Sequence, residues 1–266
     1  MVGDVTSSMA CAVTAKKMQV RVAHIEAGIR SNDWSMPEEV NRVLIDSISD
    51  YFFTTTQNAS LNLSKMGVEK ENIYFVGNTM IDTLLQFRSF FQQPKIWKEL
   101  KLEEKKFIVL TLHRPANVDE AKLLNKTLDE ILLHSKSLPV IFPVHPRTSK
   151  ILNSLKKEHP NLHLIEPLNY LQFNFLVERA KVVITDSGGI TEETTILGVP
   201  CMTLRDNIER PETITIGTNE LLGTDPKAIG PAFKKLFSDQ WKRGGIPERW
   251  DGKTGDRILK QIQKII

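Results

Sequence analysis

The sequence has little cysteine and no long apolar run. Its 266 residues include only two cysteines, Cys11 and Cys201, which stand far apart in apolar surroundings. Two isolated thiols favour a reducing compartment and argue against a disulfide framework. No apolar run approaches the roughly 18 residues of a membrane span, and no signal-peptide pattern is visible. We therefore expect a cytoplasmic protein with no membrane partner.

A strong excess of one charge is also missing. Lysine and arginine number 35 against 32 aspartate and glutamate residues, and this small surplus does not predict a nucleic-acid partner. Neither His-Glu-x-x-His nor paired cysteines occur, so we expect no metal site. Ser187 lies in Asp-Ser-Gly-Gly instead of Gly-x-Ser-x-Gly, which argues against a nucleophilic serine.

The most informative stretch covers residues 182–193. A β-branched strand leads into an Asp-Ser-Gly-Gly turn, and a helical pattern follows at once. Such a turn presents unpaired N–H groups and the positive end of a helix dipole, for which phosphate is the usual ligand. Glu192 and Glu193 lie in the first helical turn, where a carboxylate can accept hydrogen bonds from sugar hydroxyls. The alternative is an ordinary βα turn with Ser187 as the N-cap.

Strand and helix patterns alternate along the chain, which predicts an α/β fold with parallel sheets. The second half has the pattern of a complete Rossmann-like domain, whereas the first shows only about three strands. A charged stretch at 92–106 is the predicted crossing between them, and a helix at 82–91 fits either half. The predicted strands of the second half are 107–112, 140–145, 162–165, 182–185 and 200–204, with a short one at 219–222.

Several ionisable side chains fall at strand ends or at a helix start, where α/β folds place functional groups. They are Asp4, Glu26, Glu38, His113 and His145. If the strand ends of both halves face one cleft, carboxylates of the first half meet a histidine of the second across a ligand. Each residue also has a structural explanation. Asp4 suits a helix cap, Glu26 suits a pair with Arg30, Glu38 suits a helix dipole, and His145 suits a hydrogen-bonded structural role.

Two arginines follow the last core strand. Arg205 and Arg210 lie in the loop Arg205-Asp206-Asn207-Ile208-Glu209-Arg210-Pro211-Glu212 and carry the charge that a diphosphate needs. The alternative is a solvated loop whose charges form salt bridges with one another.

Several runs of residues along the chain together match the pattern of one known family. The runs are His24-Ile25-Glu26-Ala27-Gly28-Ile29-Arg30, Met36-Pro37-Glu38-Glu39-Val40-Asn41-Arg42, Gly77-Asn78-Thr79-Met80-Ile81-Asp82, Leu112-His113-Arg114, Pro143-Val144-His145, Asp186-Ser187-Gly188-Gly189-Ile190 and Glu209-Arg210-Pro211-Glu212. They resemble the signature runs of the UDP-N-acetylglucosamine 2-epimerases. The resemblance extends from Val2 to the final helix, with the runs in family order.

This resemblance implies a GT-B-like pair of Rossmann-like domains with the ligand cleft between them. The incomplete first domain would contain residues 1–77 and a returning helix at 254–266, and the UDP-binding domain would contain 78–253. The implied reaction interconverts UDP-N-acetylglucosamine and UDP-N-acetylmannosamine by elimination and re-addition of UDP. It needs no cofactor, and the implied protein is a homodimer that supplies N-acetylmannosamine for surface polysaccharide synthesis.

The resemblance also assigns roles to residues. Asp4, Glu26 and Glu38 resemble the catalytic carboxylates and His113 the catalytic histidine, but the spacing does not say which carboxylate is the acid and which the base. Glu193 resembles the ribose contact and Arg210 a diphosphate contact. The implied substrate-binding residues are Arg30, His145, Ser187, Gly188, Gly189, Glu193 and Arg210.

The sequence also departs from the family pattern. Thr191 stands where many members have glutamine, and Ile208 where many have threonine. Family members carry about three more βα units before the position of Asp4, at roughly 30 residues each. These units are missing from this sequence, so we expect an N-terminally truncated member of the family, either through a start-site error or as a natural truncation. The alternatives to a non-hydrolysing UDP-N-acetylglucosamine 2-epimerase are a hydrolysing epimerase, an epimerase of a UDP-diacetamido uronic acid, and a truncated UDP-binding protein that has lost its activity.

Overall fold

The computed structural model describes residues 1–144, 148–149, 151–152 and 159–265, and it contains two compact units. The first unit contains Met1–Gln86 and Pro247–Ile266, and the second contains Phe87–Ile246. Across the described ranges, no helix is long and apolar enough to cross a membrane.

The first unit is built on a parallel sheet of three strands in the order β1-β2-β3. An isolated bridge between Val2 and Ile25 adds a short contact at the outer edge of β1. The elements are α1 (Thr6–Lys17), β1 (Ala23–Ala27), α2 (Pro37–Ile48), β2 (Tyr51–Thr54), α3 (Gln57–Lys65), β3 (Ile73–Phe75), α4 (Thr79–Phe87) and the last helix of the chain (Thr254–Ile265).

Hydrophobic contacts hold helices against both faces of this sheet. One buried cluster contains Ala12 of α1, Val22 just before β1 and Ile45 of α2. A second cluster beneath the last helix contains Phe53 and Ile258. Helix α2 begins with a proline at its first position and two glutamates in its first turn. This start is favourable because proline needs no N–H partner there and the acids complement the helix dipole.

The boundaries of the units differ from the predicted ones at 77/78 and 253/254. The breaks lie after Gln86 and before Pro247, so all of α4 except its last residue belongs to the first unit, together with residues 247–253. Hydrogen bonds explain this assignment. The Asp82 carboxylate of α4 accepts from the N–H groups of Thr254 and Gly255 at 3.1 and 2.7 Å and so caps the last helix.

The second unit is a doubly wound α/β domain with a parallel sheet of six strands, in the order β6-β5-β4-β7-β8-β9. Its elements are α5 (Lys95–Glu99), β4 (Ile108–Thr111), α6 (Pro115–Val118), α7 (Ala121–His134), β5 (Val140–Pro143), β6 (Leu162–Ile165), α8 (Tyr170–Arg179), β7 (Val182–Thr185), α9 (Gly188–Leu197), β8 (Cys201–Thr203), α10 (Glu212–Thr215), β9 (Asn219–Leu221) and α11 (Ile229–Phe237).

Strand β7 is the centre of this unit. All four of its residues are buried, with Val182 and Ile184 in one hydrophobic cluster and Val183 in the cluster on the opposite face. The direction of the strand order reverses between β4 and β7, because β5 and β6 lie on one side and β8 and β9 on the other. In open α/β sheets, ligands bind outside the carboxyl ends of the strands at such a switch point.

The predicted strands of the second half are confirmed with small differences at their ends. The β6 and β7 bounds agree with the prediction, and β9 confirms the short strand predicted near residue 219. The predicted strand at 140–145 ends earlier, at Pro143, and His145 lies outside the described residues. The stretch at 92–106, predicted to be free of strands, contains the short helix α5.

Candidate functional site at the sheet switch point

The residues that follow β4 and β7 meet at the switch point of the second unit. His113 follows β4, and Asp186 is the first residue after β7. The two strands are neighbours in register, with Thr111 opposite Thr185. The Nδ1 atom of His113 lies 2.9 Å from Oδ1 of Asp186. Parallel pairing therefore brings together two side chains that are 73 residues apart in the chain.

Asp186 is a fully buried carboxylate that receives several hydrogen bonds. The backbone N–H groups of His113 and Arg114 donate to it at 3.1 and 2.9 Å, and the Asn117 amide donates at 3.0 Å. Burial acts to raise the pKa of Asp186, but hydrogen bonds from His113, Arg114 and Asn117 hold it below its usual value. Asp186 is therefore an ionised group that fixes the turn after β4 and the orientation of the His113 ring.

His113 differs from its partner in exposure. Its side chain is 41% exposed, whereas the Asp186 side chain is 0% exposed. An imidazole that a buried carboxylate orients and that solvent reaches has the arrangement of a general acid or base. The structure therefore supports a chemical role for His113 and adds Asp186 as its orienting partner.

The glycine turn after Asp186 begins helix α9. Ser187 occupies the N-cap position, but its side chain makes no capping hydrogen bond. The Arg205 guanidinium and the Glu209 carboxylate both lie beside the turn, because a Cβ atom on Gly188 would be 3.6 Å from Arg205 Nη1 and 3.5 Å from Glu209 Oε2. Both Nη atoms of Arg205 donate to Glu209 at 2.8 Å. A helix start without a side-chain cap and a nearby arginine are suited to a phosphate group.

Glu192 and Glu193 of α9 have separate environments. Glu192 accepts a hydrogen bond from Arg210 Nε at 2.9 Å, and both side chains are buried. Burial raises the pKa of Glu193 to about 7, while Tyr170 and Asn174 oppose the rise and the Glu192 charge adds to it. The opposition by Asn174 is weak, because its amide makes no hydrogen bond of normal geometry within the described residues. Arg210 is thus a partner of a buried carboxylate as well as a predicted diphosphate contact.

In the first unit, Asp4 lies just before helix α1 and pairs with a buried arginine. The Nε and Nη2 atoms of Arg42 donate to Asp4 Oδ2 at 3.2 and 2.5 Å. Arg42 Nη1 also donates to Glu39, and Glu39 accepts from the backbone of Ser31. Asp4 is not the cap of α1, since Val5 holds the N-cap position and has no side-chain hydrogen bond there.

Glu26 has an unusual backbone conformation near the end of β1. Its φ angle is +75°, and the register with β2 shifts there, so that Ile25 faces Phe53 and Ala27 faces Thr54. This irregularity is a β-bulge, which re-aims a side chain at a strand end. A left-handed φ in a residue other than glycine costs roughly 1–3 kcal/mol and is typical of functional positions.

The remaining predicted residues of the first unit differ from one another. Glu38 is exposed in the first turn of α2, next to the buried Glu39. The Arg30 guanidinium lies 2.6 Å from Asp46 and is 10% exposed. The Arg30 guanidinium also donates to the carbonyl oxygen of Ile29, the residue before Arg30. Substrate binding by Arg30 stays a prediction, as do the roles of the other site residues.

The sequence interpretation did not include Asp186, Asn117 or Arg42 among the site residues. The sequence held a signal for Asp186, because it is a charged residue immediately after a β-branched, mostly apolar strand. The sequence held no such signal for Asn117, because its contacts with Asp186 and with the Leu204 carbonyl oxygen join chain segments that are far apart in sequence. Within the described residues, no group of three or more histidine, cysteine, aspartate or glutamate residues is arranged to hold a metal ion.

Comparison with known proteins gives the family. The family model for UDP-N-acetylglucosamine 2-epimerase matches residues 1–263. The chain belongs to this family. A UDP-N-acetylglucosamine 2-epimerase from Methanococcus maripaludis is 40% identical over an alignment that covers 96% of this chain and 70% of that protein. A UDP-2,3-diacetamido-2,3-dideoxy-D-glucuronate 2-epimerase from Pseudomonas aeruginosa is 40% identical over an alignment that covers 99% of this chain and 73% of that protein.

A solved structure of the UDP-N-acetylglucosamine 2-epimerase family confirms the fold class. The Methanocaldococcus jannaschii enzyme, crystallised with UDP-GlcNAc and UDP, matches with a TM-score of 0.87 and 38% identity. The match covers 99% of this chain and 74% of that one. The predicted family and the GT-B-like class, with two parallel-sheet α/β domains, are therefore both confirmed.

Proposed function

We propose that this chain is an isomerase of the UDP-N-acetylglucosamine 2-epimerase type. It would interconvert UDP-N-acetylglucosamine and UDP-N-acetylmannosamine without hydrolysis. The observation that carries the proposal is the pair of His113 and Asp186 at the sheet switch point, beside a helix start that lacks a side-chain cap. This arrangement belongs to a chain whose family includes relatives named for this activity.

In the proposed reaction, a base removes the proton from C2 of the sugar. The C2 electron pair forms a double bond to C1 as the bond from C1 to the UDP oxygen breaks. The products at this stage are 2-acetamidoglucal and UDP. UDP then adds back to C1, and C2 takes a proton on the opposite face, so that the configuration at C2 is inverted.

This chemistry needs acid and base groups on two faces of the sugar and a site for the charge of the departing diphosphate. The carboxylates of Asp4, Glu26 and Glu38 are proposed as the groups that handle the C2 proton, together with His113. The α9 turn with Ser187, Gly188 and Gly189 and the arginine Arg210 is proposed to hold the diphosphate, and Glu193 to contact the ribose.

A second substrate is supported by one observation. The Pseudomonas aeruginosa relative that is 40% identical to this chain is named for a UDP-diacetamido glucuronate. That sugar undergoes the same inversion at C2 and differs in its substituents at C3 and C5. Assays of both UDP-sugars with one preparation would identify the better substrate, and detection of the free sugar instead of a UDP-sugar would favour a hydrolysing enzyme.

The proposal extends to the setting of the reaction. The family resemblance supports a cytoplasmic homodimer that provides N-acetylmannosamine for surface polysaccharide. Light scattering on the purified chain tests the dimer, and a mass equal to a single chain would contradict it.

Solvent deuterium incorporation at C2 of UDP-N-acetylglucosamine tests the proposed reaction. The assay detects proton exchange even when no net conversion occurs. Glu38→Gln keeps the size of the side chain and removes its basicity, so we expect exchange to slow by roughly 10²- to 10⁴-fold. Glu69→Gln, an exposed glutamate of the same unit, is the matched control. No exchange by the unaltered chain would contradict the proposed function, and full exchange by Glu38→Gln would remove Glu38 from the catalytic set.

A further inference from the structure

Asp46 is a buried carboxylate on α2 for which the sequence interpretation gave no role. Its Oδ1 atom lies 2.6 Å from His24 Nδ1, and its Oδ2 atom lies 2.6 Å from an Arg30 Nη atom. Oδ2 also accepts from the backbone N–H of Gly28 at 3.1 Å. Asp46 therefore binds residues 24, 28 and 30, which lie on both sides of Glu26.

The segment that Asp46 binds contains the bulge at the end of β1. Glu26 has a φ of +75°, and Gly28 has a φ of +79°. A Cβ on Gly28 would lie 2.2 Å from the Ala59 carbonyl oxygen, so this turn fits closely against α3. An unfavourable backbone conformation persists only where its surroundings hold it. The three contacts of Asp46 provide such a restraint two residues before Glu26 and two and four residues after it.

His24 extends the restraint to the segment that carries Asp4. Its Nε2 atom lies 3.2 Å from the carbonyl oxygen of Gly3. A carbonyl oxygen only accepts hydrogen bonds, so Nε2 is the donor. The backbone N–H of Gly3 in turn donates to the Ile25 carbonyl oxygen at 3.1 Å. One carboxylate thus links the backbone next to Glu26 with the backbone next to Asp4.

We propose that Asp46 is a positioning residue that holds the carboxylates of Glu26 and Asp4 in their reactive arrangement through His24, Gly28 and Arg30. This inference rests on the proposed function, because it assumes that Glu26 and Asp4 handle the C2 proton. Asp46 itself is buried beneath the turn and has no direct contact with the substrate in this proposal. A small displacement of a catalytic group is enough to slow a reaction by about 10²-fold.

A double-mutant cycle in the full chain tests this role. Asp46→Asn keeps the size of the side chain but removes the charge that binds His24 and Arg30. We expect kcat for C2 exchange to fall about 10- to 100-fold with KM changed by less than about 3-fold. In the background of Glu26→Gln, the same change should lower kcat by a clearly smaller factor, because one of the two carboxylates that Asp46 positions is already lost. Equal losses in both backgrounds would overturn the proposal.

Asp50→Asn is the matched control. Asp50 lies between α2 and β2, where it accepts from the Val22 N–H next to the start of β1 at 2.7 Å and pairs with Lys16 at 2.7 Å. Among the described residues, its hydrogen bonds go to Lys16 and Val22 and not to the turn that follows β1, so its loss affects stability without displacing Glu26. A fall in kcat equal to that of Asp46→Asn would mean that general destabilisation explains both results and would overturn the proposal.

Amide hydrogen exchange provides a readout that does not depend on activity. In Asp46→Asn, the Gly28 amide and its neighbours at 26–30 should exchange at least about 10-fold faster, whereas Asp50→Asn should leave them unchanged. Unchanged protection of Gly28 in Asp46→Asn would overturn the positioning role even if the enzyme is active. Increased exchange in a chain that has no C2 activity would instead show that the proposed function is wrong while the restraint exists.

A milder variant serves if Asp46→Asn does not fold. His24→Gln retains a donor near the Nε2 position for Gly3 and removes the contact with Asp46. It should give the same dependence on Glu26 in the kinetic cycle with a smaller loss, about 3- to 10-fold in kcat. A loss that is the same with glutamate and with glutamine at position 26 would overturn the proposal.

Discussion

Each unit contains a buried aspartate that binds a histidine, but the two pairs differ in the surroundings of the ring. In the first unit, His24 lies 2.6 Å from Asp46 with a side chain that is 1% exposed, and both of its ring nitrogens meet protein acceptors. In the second unit, His113 lies 2.9 Å from Asp186 with a side chain that is 41% exposed. The same pair of residue types thus occurs once within the protein and once at its surface.

The difference shows how position in the sheet separates structural from chemical roles. Asp46 projects from α2 and binds the turn after an edge strand, whereas Asp186 ends the central strand β7 at the switch point. The ring of His24 is enclosed and can only hold the backbone together. The ring of His113 is oriented from beneath and open to solvent, which is the arrangement that proton transfer to a substrate requires.

The largest expected effect is the difference between alanine substitutions of the two histidines. His113→Ala should slow C2 exchange by roughly 10²- to 10⁴-fold, the usual share of a general acid or base, with little change in the free energy of unfolding. His24→Ala should lower the free energy of unfolding by about 3–5 kcal/mol, because it removes one partner of a buried charge. Kinetic assays and urea unfolding of both variants check this, and the reverse assignment of effects would contradict the comparison.

A pH dependence distinguishes Glu193 from Asp186. Burial raises the pKa of Glu193 to about 7 from an ordinary value of 4.5. The folded state therefore holds this proton more tightly than the unfolded state. Its contribution to stability is fully present below pH 4.5 and is lost as the pH rises through about 7. The loss amounts to roughly 3 kcal/mol, and Glu193→Gln should remove it.

Asp186 should behave in the opposite sense. Burial acts to raise its pKa, but the hydrogen bonds from His113 and its neighbours keep the pKa below the ordinary 3.8. The contribution of ionised Asp186 to the free energy of unfolding is fully present above pH 3.8 and is lost as the pH falls through the pKa of the folded state. Urea unfolding from pH 3 to pH 8 of the unaltered chain and Glu193→Gln measures both. An unchanged slope between pH 4.5 and 7 in the variant would contradict the assignment for Glu193.

We expect the second unit to bind UDP, and a substitution of Arg210 tests whether this arginine contributes to the affinity. Arg210→Ala should weaken UDP binding by about 1.5–3 kcal/mol, as expected for a lost charged hydrogen bond. Since Arg210 also neutralises the buried Glu192, the variant needs an unfolding curve. Calorimetric titration gives the affinity, and the double variant with Glu192→Gln controls for the unpaired acid. UDP affinity that is unchanged in a folded variant would remove Arg210 from the site.

The smallest expected effect concerns backbone protection in the two sheets. Strand β1 is paired with β2 on one side and only with residues 1–3 on its outer side, whereas β7 has strand partners on both sides and is fully buried. An outer strand with so short a partner is held less firmly than a central strand. Amides of Ala23–Ala27 should therefore exchange faster than those of Val182–Thr185. Equal protection would show that the first sheet is more stable than its strand number suggests.

Much of the fold could be predicted from local patterns. The strand β7 and its glycine turn were evident because a β-branched run, a polar turn and a helical period follow one another. The domain boundaries were less predictable. Helix α4 is amphipathic and suits either unit, and its place was decided by the Asp82 carboxylate that caps the last helix at 2.7 Å, a contact between residues far apart in the chain.

The sequence by itself determined the family, the alternation of strands and helices, and the types of the candidate groups, because these depend on neighbouring residues and on motif order. Only the tertiary structure decided which groups meet. The bulge at Glu26, the contacts of Asp46 with residues 24, 28 and 30, and the pairing of His113 with Asp186 all result from strand register and helix packing. Those interactions join distant segments, so no local pattern of residues could specify their geometry.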